Sequence, residues 1–242
     1  MIGWIILIFA IWYIFNQRAN ICAFVARASI GNGDFELAMK IYDFAYKIGK
    51  MKFGNNLDYA YFALKTGDID KADKLFNLLR MSPLKPVEKM QLKATHALVF
   101  WKRGDVETAI EMLEEAVNKM PNTTFYGSLG YMYIYNNQFT EALELNKKAY
   151  EYNSNDLIIL ENLALTYFKL GEMDQAKIYY EKLMGMNPVL PDCLYEYGQF
   201  LLKCGDTEKA KESFKKALDG NFSFLTMVTR EEIQREIDNL TE

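Results

Sequence analysis

A six-residue phrase that recurs along the chain is the feature that most restricts how these 242 residues can fold. The phrase begins with Gly or Asn, continues with Asp, Glu or Gln, and ends with Ala. Its six copies end at Ala38, Ala72, Ala109, Ala142, Ala176 and Ala210. Successive copies are 34, 37, 33, 34 and 34 residues apart. Such a period is typical of repeat proteins, in which each repeat is one small unit that buries its apolar face against its neighbours.

The phrase and the residues after it predict two antiparallel helices in each repeat. Gly or Asn takes the left-handed conformation that ends one helix, and the acidic residue caps the next. The alanine lets the two helices approach closely. The residues four positions after each alanine are Tyr42, Phe76, Leu113, Asn146, Tyr180 and Phe214. The residues three positions further on are Ala45, Leu79, Ala116, Ala149, Leu183 and Ala217. These spacings place all of them on one helical face, which we expect to be buried.

This pattern resembles the tetratricopeptide repeat (TPR), a helix–turn–helix unit of 34 residues. The resemblance covers residues 18–222, and the repeats start near positions 19, 53, 90, 123, 157 and 191. It implies an all-α, right-handed superhelical solenoid of about six repeats. After the last repeat, Thr229 and Glu232 form a capping-box pattern that predicts a helix up to about Leu240. We interpret residues 223–242 as a C-terminal capping helix.

Two departures from the pattern predict local differences. The fourth repeat has Asn146 where a large apolar residue is expected, which predicts looser packing of its second helix. The 37-residue interval places about three extra residues around Met81–Pro86. They form either a loop or a longer first helix, and in both cases we expect a division into blocks of two and four repeats.

The N-terminus is apolar from Ile2 to Phe15, and its first charged residue is Arg18. A helix over residues 1–17 would be about 25 Å long, close to the hydrocarbon thickness of about 30 Å. We interpret residues 1–17 as one transmembrane anchor helix, continuous with the first helix of repeat one over residues 2–30. A buried core helix is the alternative. A cleaved signal peptide fits less well, because no basic residue precedes the apolar run.

Arg18 and Arg27 follow the apolar run before any acidic residue. Positive charge stays on the cytoplasmic side of a membrane. This predicts a single-pass protein of the cell membrane with its repeats in the cytoplasm.

Composition excludes several classes of function. The chain has 28 Lys and Arg residues against 32 Asp and Glu residues, which argues against a broad surface for nucleic acid. His96 is the single histidine, and the three cysteines have no metal-type spacing. No phosphate-binding loop, dinucleotide motif or hydrolase motif occurs. We therefore predict no enzymatic activity, no cofactor, no metal and no small-molecule substrate.

The resemblance implies that the first helix of each repeat lines a concave groove. Positions 9 and 12 of the repeats would face it. These positions are Arg27, Ile30, Tyr61, Leu64, Leu98, Trp101, Tyr131, Ile134, Leu165, Phe168, Gln199 and Leu202. They form either a groove for a peptide with apolar anchors or packing between repeats, and both interpretations stay open.

Lysine dominates position 13 of repeats two to six, as Lys65, Lys102, Lys169 and Lys203. These lysines either complement helix C-termini or form a basic rail for an acidic peptide. The predicted function is a non-enzymatic, membrane-anchored TPR scaffold that binds a protein or peptide partner. The alternative is a regulatory or assembly subunit of a membrane complex that acts through its anchor helix.

Overall fold

The computed structural model describes residues 2–240, apart from the side chains of residues 2, 3, 5, 6 and 9. Within this range the chain forms thirteen α-helices and no strand. The helices are α1 (Ile2–Gly31), α2 (Phe35–Ile48), α3 (Phe53–Lys65), α4 (Ile69–Arg80), α5 (Pro86–Lys102), α6 (Val106–Lys119), α7 (Thr123–Tyr135), α8 (Phe139–Tyr152), α9 (Leu157–Lys169), α10 (Met173–Met184), α11 (Pro191–Lys203), α12 (Thr207–Leu218) and α13 (Arg230–Asn239). The predicted all-α fold of helical hairpins is confirmed.

The helices divide into two compact units, Met1–Val99 and Phe100–Glu242. In the first unit, α1 packs on α2 and α3 packs on α4. In the second unit the helical hairpins are α7–α8, α9–α10 and α11–α12, and α13 packs on α12. The division falls inside α5 and not near Met81–Pro86, where a boundary was expected. The extra residues of the long interval extend this first helix, which starts at Pro86.

The recurring phrase builds the turn inside each hairpin. Its glycines take positive φ values, for example +80° at Gly33 and +86° at Gly104, and Asn137 takes 59° in the fourth repeat. The aspartate that follows caps the next helix, as when the side chain of Asp34 accepts a hydrogen bond from the backbone N–H of Leu37. Most residues with a Cβ are strained at positive φ, whereas glycine has no Cβ and the short polar side chain of asparagine tolerates this conformation.

The predicted core positions are buried in every repeat. All six alanines that end the phrase are 0% exposed. The six residues four positions later, Tyr42, Phe76, Leu113, Asn146, Tyr180 and Phe214, are at most 1% exposed. Both sets lie on the second helix of each hairpin, one turn apart on the same buried face. The sequence periodicity therefore identified the interior correctly.

Asn146 is tightly enclosed, which differs from the loose packing expected for the fourth repeat. Its Nδ2 donates to Thr166 Oγ1 over 3.2 Å, and Thr166 Oγ1 donates to the carbonyl oxygen of Asn162 over 2.6 Å. Gly130 lies against this polar group, and a Cβ there would overlap Asn146 Oδ1. A buried amide with a hydrogen-bond partner thus replaces the apolar residue of the other repeats.

Gly130→Ala is expected to lower the free energy of unfolding by about 1–3 kcal/mol, because a buried amide must move to admit the methyl group. The double variant with Asn146→Ala removes the nearest obstacle, leaving Asn162 Nδ2 at 2.9 Å from the new Cβ. It is expected to lose less than the sum of the two single variants. Gly54→Ala is the control, since a Cβ at Gly54 would have no neighbour within 4 Å. Urea unfolding followed by circular dichroism compares the wild type with the two single variants, the double variant and the control. Purely additive effects would contradict this packing.

The N-terminal segment forms the predicted continuous helix, since α1 runs from Ile2 to Gly31. Its C-terminal half packs on α2, with Ala19, Ala23 and Ala26 at most 1% exposed. The N-terminal half is not a core helix of this chain. Its exposed apolar side chains include Trp4 at 70% and Phe15 at 61%.

Among the residues that the structure describes, no helix has a stretch both long and apolar enough to span a bilayer. The apolar run ends before Asn16, Gln17 and Arg18. Its roughly 14 residues rise about 21 Å, which is well short of the hydrocarbon thickness of about 30 Å. The predicted transmembrane anchor and the single-pass location in the cell membrane are therefore wrong. Met1, which that prediction included, lies outside the described residues.

The C-terminal helix has the predicted start. The Thr229 side chain accepts from the backbone N–H of Glu232, and the Glu232 side chain accepts from the backbone N–H of Thr229. Ile233 and Ile237 of α13 are buried in the core cluster that contains Phe214. One apolar stripe thus covers the end of the last repeat, while the rest of the helix is polar.

Candidate functional site

In the first unit, one predicted groove residue, Arg27, has polar contacts with a neighbouring helix of that unit. Arg27 Nη1 contacts Asp58 Oδ2 at 2.6 Å, and Arg27 Nη2 donates to Asn55 Oδ1 over 2.8 Å. This residue therefore joins α1 to α3. Tyr61 is 36% exposed, and Leu98 is half-buried. Lys65 is exposed at the end of α3.

In the second unit, the first helices bring together a row of aromatic rings. Trp101 of α5 lies edge-on to Tyr131 of α7, with ring centroids 5.6 Å apart. The rings of Tyr131 and Tyr135 follow at 4.4 Å. Trp101 is 9% exposed, whereas Tyr131 and Tyr135 are half-buried. The row is therefore only partly covered by the protein's own side chains.

The other residues of this unit that were predicted to line the groove differ in how far they are buried. Leu165 is 1% exposed and belongs to the interior. Phe168 is half-buried and lies edge-on to Phe200 at 5.7 Å. Gln199 is half-buried on α11. The structure thus places these residues on α9 and α11, and their role in binding stays a prediction.

The lysines of the predicted basic rail differ in their surroundings. Lys102 Nζ lies 5.1 Å from the centre of the Trp101 ring and 4.8 Å from that of Phe224. Burial lowers the pKa of Lys102, and the nearby charge of Asp192 opposes that effect. Lys169 Nζ lies 3.4 Å from Glu196 Oε2, and Lys203 is exposed. Binding of an acidic peptide by these lysines stays a prediction.

Three carboxylates lie on the same side of the second unit, and the sequence reasoning missed them. They are Glu161 of α9, and Asp192 and Glu196 of α11. Glu161 is 5% exposed and Glu196 is 8% exposed. They were missed because an acidic residue on a helix fits a solvent-exposed face equally well. Counting positions 2, 5 and 6 of the first helices, as was done for positions 9 and 12, would have identified them.

Burial dominates the electrostatics of these carboxylates. It raises the pKa of Glu161 to about 8, with a further contribution from the charges of Asp192 and Glu196. Burial also raises the pKa of Asp192, although hydrogen bonds from Val228 and Met227 counteract it. The pKa of Glu196 is raised by burial, against the opposing charge of Lys169. Carboxyl groups close to one another and to few cations favour their protonated forms.

The segment between α12 and α13 contributes backbone N–H groups to this region. The backbone N–H groups of Met227 and Val228 donate to Asp192 Oδ1 over 2.9 and 2.8 Å. The Tyr131 hydroxyl donates to Asp192 Oδ2 over 3.4 Å. Asp192 therefore ties the C-terminal segment and α7 to α11.

A cavity of about 160 Å³ opens beside Asp192. It is lined by Tyr135, Asp192, Tyr195, Glu196, Met227, Val228 and Glu232. Its lining includes the carboxyl groups of Asp192, Glu196 and Glu232 and the phenol groups of Tyr135 and Tyr195. This arrangement can accept hydrogen bonds from a positively charged group.

The side chains whose chemistry is compatible with catalysis have packing contacts. His96 is 4% exposed, its Nε2 lies 2.7 Å from Asp73 Oδ1, and its ring lies 5.0 Å from that of Phe76. Cys193 is 0% exposed, and burial raises the pKa of its thiol. Within the part of the chain that the structure describes, no group of three or more His, Cys, Asp or Glu side chains could hold a metal ion.

Helical hairpins with alanine and glycine at these repeated positions are typical of repeat proteins, whose extended surfaces bind other molecules. Sequence profiles of the tetratricopeptide repeat match residues 95–156, 158–189 and 191–219. The chain belongs to the tetratricopeptide repeat family. A curated relative, the TPR repeat-containing protein MJ1428 of Methanocaldococcus jannaschii, is 26% identical over 134 residues. That match covers 55% of this chain and 23% of the relative, so the chain spans about a quarter of its length.

Solved structures show the same fold. A thermophilic TPR protein of Thermus thermophilus, TTC0263, has a TM-score of 0.63 at 19% identity, and the match covers 78% of this chain and 99% of that protein. PilW, a type IV pilus biogenesis factor, has a TM-score of 0.68 at 15% identity, with coverage of 94% and 100%. A TPR protein of Parabacteroides merdae has a TM-score of 0.56 at 15% identity, with coverage of 93% and 100%. At these identities the likeness concerns the fold.

Proposed function

We propose that the chain is a non-enzymatic adaptor that binds a peptide segment of a partner protein along the first-helix side of its second unit. The observation that carries this proposal is the row Trp101–Tyr131–Tyr135, which is held by α5 and α7 and only partly covered. Large aromatic side chains with polar tips are efficient anchors at interfaces, because they bury much area at a small entropic cost.

The charged groups beside the row support a mixed polar and apolar surface. Lys102 borders the row next to Trp101, and Asp192 accepts a hydrogen bond from Tyr131. The charges of Glu161 and Glu196 act on Tyr135. Apolar anchors with nearby charges of both signs suit an extended or helical peptide. The packing roles of His96 and Cys193 favour binding over catalysis as the work of this chain.

Tyr131→Ala is expected to weaken peptide binding at least about tenfold, because it removes the central ring of the row. Peptides would first be selected by phage display on the full chain. Their dissociation constants would then be measured by fluorescence anisotropy on the wild type and on the variant. Tyr152→Ala is the matched control, since Tyr152 is 56% exposed on α8, a second helix of a repeat.

The proposal requires that the control variant bind like the wild type and that both variants keep the helical circular dichroism spectrum. Equal affinities of the Tyr131→Ala and Tyr152→Ala proteins would place the binding surface elsewhere. Failure to select any peptide would also count against it.

A further inference from the structure

We infer that Tyr135, Glu161, Asp192 and Glu196 form a receptor for an arginine side chain of the bound peptide. This inference rests on the proposed function for the source of the arginine, and it specifies the chemistry that the partner presents. Its physical basis is a small polar cavity lined by the carboxyl groups of Asp192, Glu196 and Glu232, close to the buried carboxyl group of Glu161.

The cavity beside Asp192 has the size and lining for one charged head group. Its volume of about 160 Å³ exceeds the roughly 30 Å³ that a water molecule occupies in the liquid. Asp192 and Glu196 line it, and Glu232 contributes a third carboxylate. Tyr135 and Tyr195 supply two phenol rings to the same lining. Acceptor oxygens and ring faces are concentrated there, which favours a cation with several N–H donors.

Glu161 is the carboxylate that lacks a partner. Its side chain is 5% exposed, and among the described residues no donor lies within hydrogen-bond distance of its oxygens. Glu196 has Lys169 at 3.4 Å, and Asp192 accepts the backbone N–H groups of Met227 and Val228. A buried carboxylate without a donor is costly, and a ligand that brings a cation removes that cost.

The register of α9 places Glu161 on the side of the helix that faces α11. Phe168, seven residues later, contacts Phe200, and Lys169, eight residues later, contacts Glu196. The charge of Glu161 also contributes to the raised pKa values of Tyr131 and Tyr135 of α7. Glu161 therefore lies close enough to the aromatic row to act on it electrostatically. The unpartnered carboxylate, the ring row and the cavity are thus neighbours.

Arginine fits this combination better than lysine. A guanidinium group is planar, stacks on aromatic rings and donates in a fork that matches two carboxylate oxygens. Lys102 and Lys169 already contact Trp101, Phe224 and Glu196. Arg235 is a further cation, and its charge acts on Glu232. An arginine ligand would add a cation beside Glu161, Asp192 and Glu196, and its charge would favour the ionised form of Glu161, whose pKa is raised by burial.

The test uses N-acetyl-arginine N-methylamide as a probe, titrated into the full chain and followed by NMR of labelled backbone amides and tyrosine rings. We expect shifts concentrated at Tyr131, Tyr135 and Asp192. The citrulline analogue has the same shape without the charge, and we expect it to bind at least about tenfold more weakly. Glu161→Gln is expected to cause a similar loss, whereas Glu181→Gln, at an exposed position on α10, leaves binding unchanged.

Equal binding of the arginine and citrulline probes, or equal binding to the Glu161→Gln and Glu181→Gln proteins, would overturn the inference. If Glu161→Gln does not fold, Glu196→Gln and the comparison of the two probes decide. The inference and the proposed function fail separately. Selected peptides that need Tyr131 but contain no arginine would leave the function standing and refute the receptor, whereas an arginine site without peptide binding would do the reverse.

Discussion

Phe214→Ala is expected to lower the free energy of unfolding of the second unit by about 3–5 kcal/mol, the range found when a buried phenylalanine is truncated. Phe214 is 0% exposed, and its ring lies 5.6 Å from that of Tyr195. It also fills the space above Gly198, where a Cβ would overlap the Phe214 ring. The substitution therefore leaves a cavity between α11 and α12 that the tightly packed neighbours cannot close.

Hydrogen exchange of the α11 and α12 amides, combined with urea unfolding, measures this loss. Glu181→Gln, at an exposed position on α10, is the surface control, and we expect it to change stability by less than about 0.5 kcal/mol. Equal losses for the two variants would show that the repeat register does not define the core. Local exchange is the appropriate measure, because repeat proteins do not always unfold in a single step.

The stability of the wild type is expected to fall as the pH rises from about 5 to about 8, because of Glu161. Its folded-state pKa is about 8, whereas its ordinary value is 4.5. Between these values the folded state holds a proton that the unfolded state has released, so stability decreases with rising pH. A shift of this size corresponds to at most about 4–5 kcal/mol, at about 1.36 kcal/mol per pKa unit.

Glu161→Gln is expected to remove this contribution, because the amide stays neutral at every pH. Groups that face Glu161 from neighbouring helices also titrate or carry charge, so the comparison uses the difference between the two proteins. Those groups are Tyr131, Tyr135, Tyr180, Asp192, Cys193 and Glu196. Urea unfolding at several pH values measures the difference, and Glu181→Gln is the control. A difference that stays constant from pH 5 to pH 8 would contradict the role given to Glu161.

The interior of the hairpins could be predicted from sequence because its signals are local. A glycine at positive φ, an aspartate cap and residues spaced by four and seven positions fall within one turn and one helix. Asn146 shows the limit of this reasoning. A polar residue at this position suggested loose packing. Its hydrogen-bond partner, Thr166, belongs to the next repeat, so the contact can be seen only in the folded structure.

The candidate site was predicted only in part, because its residues come from several helices that are far apart in the sequence. Trp101 and Tyr131 were named from their position in the repeat, whereas Glu161 was not, since an acidic residue on a helix fits a solvated face equally well. Met227 and Val228 lie in an irregular segment between α12 and α13, for which the repeat pattern makes no prediction. The membrane anchor was predicted wrongly because the apolar run is only a few residues short of a span, and length alone decides such a case.

The most direct measurement of the central claim is the attachment site of a selected peptide that carries a photoreactive diazirine. After irradiation of the complex with the full chain, mass spectrometry identifies the cross-linked residues. We predict attachment to the first helices of the second unit, at or next to Trp101, Tyr131 and Tyr135. Attachment to α6, α8, α10 or α12, with none on α5, α7, α9 or α11, would contradict the proposed peptide-binding side of this protein.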